Sequence, residues 1–159
     1  MLRVVAVGLS VVLAVVAVAC GGGGEGSGGA DRATPTAGAD LTRSAEAGGI
    51  TVEGTWLTAP ELDGVEADLT TYPLDEFALV EIAFTTHSGD LNKVDMEQGA
   101  TLIEDGAEIR PEAWISLSDD SHHRAGVLVF KRAQAGGPVE LGLNLGDEKV
   151  SLLWESPPT

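Results

Sequence analysis

The chain has 159 residues, a formal net charge of −16 and a single cysteine. That length suits one domain, and one thiol excludes an intrachain disulfide. The acidity leaves no basic patch to neutralise phosphates, which argues against nucleic-acid binding and against direct adhesion to anionic lipid headgroups.

Met1 to Cys20 divides into three parts. Arg3 and the amino terminus form a short positive region. Val4 to Val18 is apolar, broken only by Gly8 and Ser10, and small residues then lead into Cys20. This is the layout of an export signal, and the apolar run falls short of the roughly 20 residues of a spanning helix. The sequence Ala17-Val18-Ala19-Cys20 resembles the lipobox of bacterial lipoproteins, with Ala17 where Leu is commonest. The resemblance implies diacylglycerol on the Cys20 thiol and cleavage between Ala19 and Cys20. Several acyl chains, at about 0.8 kcal/mol per buried methylene, give stable anchoring where one does not. Residues 1–19 are thus expected to be a signal peptide, and residues 20–49 a lipidated cysteine followed by a linker.

Residues 21–49 are Gly, Ala, Ser, Thr and scattered charges, with almost no apolar side chains to offset the entropy of ordering. They predict a flexible coil with a root-mean-square reach of roughly 30 Å. Gly21, Gly23 and Gly26 satisfy the dinucleotide spacing G-x-G-x-x-G, but that motif works only between a strand and a helix. Here it sits between a signal and a coil.

From residue 50 the apolar residues alternate with period two, as half-buried strands require. Ile50 to Trp56 is the first run. Phe77 to Thr86 is the strongest, with Val80, Ile82 and Phe84 on one parity and Glu81 and Thr85 on the other. Thr101–Glu104 and Ala107–Arg110 flank Asp105-Gly106, a favoured hairpin turn. Gly126 to Lys131 is a further strand, Val139, Leu141, Leu143 and Leu145 alternate, and Val150, Leu152 and Trp154 close the series. No useful helical stripe appears, although Asp90 to Gly99 has room for a single turn. About seven short strands with turn residues between them predict an all-β, antiparallel sandwich over residues 50–159. Trp56, Trp114 and Trp154 are expected at its core or core edge, and Met96 as a loop contact.

The order of these pieces, with Leu79-Val80-Glu81-Ile82, the Asp-Gly hairpin, Gly126-Val127-Leu128-Val129-Phe130, a Leu-rich strand and a last strand ending in an aromatic, resembles the telokin-like group of immunoglobulin-like sandwiches. The resemblance is one of layout over most of residues 50–155. It implies that Phe77–Thr86 pairs antiparallel with the strand starting near Gly126, and it says little about function.

That pairing would bring His87, His122 and His123, the only histidines, to one end of the sandwich. Two or three imidazoles with a carboxylate from Asp90, Asp119 or Asp120 would suit Zn(II) or Cu(II). Adjacent residues of an extended chain point to opposite faces, so only one of His122 and His123 joins His87 unless the chain curls. Solvent-facing loop histidines and a pH-responsive patch are the other readings. Apart from that zinc or copper alternative, no cofactor is implied.

Catalytic signatures are missing. There is no G-x-S-x-G, H-E-x-x-H or P-loop. Asp90 to Asp95 has Val94 where a calcium loop places a ligand, and it lacks the following glycine. Ser116, Ser118 and Ser121 lie near the histidines without an oxyanion turn. The sequence therefore predicts a non-enzymatic, extracytoplasmic lipoprotein that contacts the lipid bilayer through acylated Cys20 and serves as a binding or accessory module for an envelope protein. Metal binding through His87, His122 and His123 is the alternative.

Overall fold

The computed structural model describes residues 41–132 and 137–158. The expected signal peptide, Cys20 and most of the expected linker lie outside them. The elements in chain order are β1 (Thr42–Ala47), β2 (Ile50–Trp56), α1 (Ala59–Leu62), β3 (Phe77–Thr86), a 3-10 turn (Leu91–Lys93), α2 (Met96–Gly99), β4 (Ala100–Glu104), β5 (Ala107–Ile109), β6 (Pro111–Asp119), β7 (His123–Lys131), β8 (Val139–Leu145) and β9 (Glu148–Trp154). The strands form a five-stranded sheet, β1-β2-β3-β7-β6, and a four-stranded sheet, β5-β4-β8-β9, every pairing antiparallel. This is the all-β sandwich that the period-two pattern predicts.

The alternation decides which face goes inward. Val80, Ile82 and Phe84 of β3 and Leu128 and Phe130 of β7 are buried against Leu102, Leu141, Leu143, Val150 and Leu152 of the opposite sheet. Each such side chain contributes about 1.5–3 kcal/mol on leaving water. Trp56 and Trp154 belong to this core, with ring centroids 5.7 Å apart in an edge-to-face arrangement. Met96 is also buried there, on α2, rather than making a loop contact. Two hairpins use the turn residues their geometry demands. Asp105 and Gly106 both take positive φ (50° and 79°), as in a type I′ turn, while only Gly146 does so in Gly146-Asp147, as in type II′.

Two strands were not expected. β1 begins at Thr42, inside the segment predicted as coil, so the ordered domain begins before residue 50. Its inward residues are small, Ala45 and Ala47, and the Gly48-Gly49 turn (φ 57° and 76°) that folds it onto β2 reads as linker composition. β6 runs from Pro111 to Asp119, but register shifts at Pro111/Ala113 and Ser116/Ser118 break the alternation that would have announced it.

The outer face of the five-stranded sheet is covered as well. Residues 57–76 form an arm across it, burying Leu57 and Leu69 against Leu79, Val127 and Val129. This is why β3 and β7 carry apolar residues on both parities near Leu79 and Val129. The backbone hydrogen bonds of residues 59–74 close within residues 58–77, so the arm's middle is held to the sheet by apolar contact.

Candidate functional site

The histidine end of the sandwich is built by β3 and β7. Thr85 pairs with His123, and the Thr86 N–H donates to the His122 carbonyl at 3.0 Å, so the chain positions of all three histidines do meet at one end. Their side chains have separate engagements. Asp120 Oδ1 accepts the N–H groups of His122 (2.8 Å) and His123 (3.1 Å), which turns the chain into β7. His122 Nδ1 lies 3.1 Å from Ser121 Oγ, His123 Nδ1 lies 3.5 Å from Thr85 Oγ1 on the outer face, and His87 is exposed beyond the end of β3.

Among the described residues, no three His, Cys, Asp or Glu side chains converge in a way that would hold a metal ion. At His87, His122 and His123 the backbones meet, but the described side chains do not gather into a cage of three such ligands. The reason is the alternation of an extended chain, together with the Asp120 turn, which fixes where His122 and His123 leave the backbone. The Ser121–His122 contact also lacks the third group that would orient a base, since no carboxylate among the described residues hydrogen-bonds the His122 ring.

The organising residue of this end is Arg124, one position beyond the histidines. It takes the inward parity of β7, shared with Gly126, Leu128 and Phe130, and is 9% exposed. Its Nη1 donates to the carbonyls of Leu91 (3.0 Å) and Val94 (2.6 Å). Its guanidinium carbon lies 5.3 Å from the centroid of the Trp114 ring, a cation–π arrangement. Trp114 in turn lies over Gly126, where a Cβ would come within 2.4 Å of the indole. The same loop is tied from its other side: Leu91 N–H donates to Ser121 O (3.0 Å) and Asn92 Nδ2 to Asp119 O (2.9 Å). A charged residue on the inward parity of an apolar strand was the available signal for Arg124.

The two backbone N–H groups donated to Asp120, that of His122 first, hold its carboxyl below the usual 3.8. The folded state thus favours the carboxylate. Its contribution to the turn is complete above the unfolded pKa and fades as pH falls through the lower folded value. Below pH 3.8, amide exchange at His122 and His123, corrected for intrinsic rate, should accelerate more than at β7 core positions such as Leu128. Asp120→Asn should flatten that difference, and an unchanged profile in the variant would contradict the assignment.

Comparison of the chain with protein-family models, with curated proteins and with solved structures returns no match.

Proposed function

We propose that the chain is an exported lipoprotein, anchored to a membrane through acylated Cys20, whose immunoglobulin-like sandwich acts as a non-catalytic binding or accessory module of the cell envelope. The observation that carries this reading is Ala17-Val18-Ala19-Cys20, which places the only cysteine directly after small residues at the end of the apolar run Val4–Val18. The order that follows supports it: a Gly-rich stretch, then a sandwich whose described part starts at Leu41. The net charge of −16 points to a protein partner rather than a phosphate-bearing one.

The test is chemical. Mass spectrometry of the processed chain should find diacylglycerol on the thiol of Cys20 and an amino terminus at that residue. Cys20→Ser should abolish processing by the lipoprotein peptidase and the added mass together. A mature chain with a free Cys20 thiol would overturn the anchor.

A further inference from the structure

The arm over the outer face contains a cavity. It has a volume of about 270 Å³ and is lined by Leu62, Ala67, Leu69, Thr70, Tyr72, Pro73 and Leu74, all arm residues. Its wall is braced from beneath. Tyr72 meets Phe77 edge-to-face with centroids 5.3 Å apart, and Lys131 sits 4.6 Å above the Phe77 ring while pairing with Glu76 at 3.0 Å. The floor residue Leu69 is buried against the sheet cluster.

The residues that flank the lining in sequence carry one sign. Leu62 lies between Glu61 and Asp63, and Ala67 between Glu66 and Asp68, with all four carboxylates exposed. Residues 57–76 contain no Lys or Arg. Thr70 donates to Asp68 Oδ1 from both its hydroxyl (2.6 Å) and its N–H (3.1 Å), which keeps Asp68 anionic and orients the turn at the cavity.

We propose that this cavity is the docking site for an extended cationic segment of a partner protein, with one large apolar side chain seated between Leu62, Leu69, Tyr72 and Leu74, and flanking Lys or Arg residues near the carboxylates of Glu61, Asp63, Glu66 and Asp68. The proposal deepens the binding-module reading and rests on it. The volume favours a single side chain, since sites for drug-sized ligands run from about 300 to 1,000 Å³. The charge favours a basic peptide, since these carboxylates repel phosphate headgroups and nucleic acids while steering cations inward. One buried anchor inside a charged ring is a common division of labour in such interfaces: the anchor supplies affinity and the charges supply rate and selectivity.

The experiment uses the full chain in detergent micelles and a fluorescein-labelled peptide, Gly-Lys-Gly-Lys-Trp-Lys-Gly-Lys-Gly, read by fluorescence anisotropy. The expected result is binding at least about tenfold tighter than that of the same peptide with Ala for Trp, and weakening as salt shortens the screening length. The peptide with Glu for Lys should not bind. Ala67→Phe, which fills the cavity, should erase the advantage of Trp over Ala, and so should Thr70→Phe at the exposed mouth should the first variant unfold. The double variant Asp63→Lys and Glu66→Lys should weaken binding of both cationic peptides. Equal binding of the Trp and Ala peptides, or an undiminished Trp advantage in both cavity-filling variants, would overturn the site. A chain lipidated at Cys20 that ignores the Trp peptide refutes the cavity and leaves the anchor standing, while an unlipidated chain that binds it does the reverse.

Discussion

Trp154→Ala is expected to cost about 4 kcal/mol of folding stability, in the range found when large aromatic side chains are deleted from packed cores. Trp154 is 1% exposed and stacks edge-on against Trp56. Its indole Nε1 donates to the carbonyl of Leu41 at 2.7 Å, and the same carbonyl accepts the Trp56 N–H at 3.0 Å. One oxygen just before β1 therefore holds residues of both sheets. Arg43 adds a second tie, from Nε to Leu153 O at 2.8 Å, where β1 meets β9. Deleting the ring leaves a cavity and strips one donor from Leu41. Trp154→Phe keeps most of the apolar volume and loses only that bond, so about 1 kcal/mol is expected. Urea unfolding of the two variants separates the contributions, and equal losses would show that the hydrogen bond dominates the packing. Since a substantial share of the usual 5–15 kcal/mol is at stake, Trp154→Ala should also fray β1, visible as faster amide exchange at Ala45 and Ala47.

How far the sequence announces this fold depends on whether a residue's partner is local or distant. The core strands were legible because alternation is a local signal: Val80-x-Ile82-x-Phe84 and Leu141-x-Leu143-x-Leu145 name their own buried face. Asp105-Gly106 named its turn for the same reason. β1 was hidden because its inward residues are alanines, whose burial becomes favourable only once β2 and β9 are in place. β6 was hidden by its register shifts. The arm was hidden because Leu62, Val65 and Leu69 follow neither period two nor a helical stripe, and are ordered by a sheet surface assembled from β3, β6 and β7. The antiparallel meeting of β3 and β7 was implied by the resemblance in layout, but the start of β7 at His123, opposite Thr85, and the directions of the side chains were not legible. Those directions depend on the Asp120 turn and on Arg124, which is read from its inward parity only once the neighbouring loop is known to need a donor.

Arg124→Met is expected to cost about 3 kcal/mol, because hydrogen bonds from a charged donor are worth about 1.5–3 kcal/mol each and leave unpaired acceptors when the donor goes. Methionine retains the stem's packing beside Trp114 and removes the two bonds to Leu91 O and Val94 O. The energy lost is offset in part. Arg124 Nε is buried without a hydrogen-bond partner and stands 4.0 Å from Asp119 Oδ1, so its removal relieves one uncompensated donor. The location of the damage discriminates better than its size. With the clamp gone, the loop around the 3-10 turn keeps its internal bonds, such as Val94 N–H to Leu91 O, and is tied to its neighbours by Leu91 N–H to Ser121 O and Asn92 Nδ2 to Asp119 O, both at its first half. Amide exchange should therefore rise most at Val94, and least at Leu128 and Phe130 in the middle of β7. Arg124→Lys should recover little, since the shorter stem leaves its nitrogen short of the Nη1 position that reaches both carbonyls, and an ammonium cannot lie flat against the Trp114 indole. Uniform acceleration across β7 in Arg124→Met would mean that the guanidinium serves the global core rather than this loop. Protection unchanged at Val94 would mean that the turn is held by its own local bonds, with the histidine end organised by Asp120 alone.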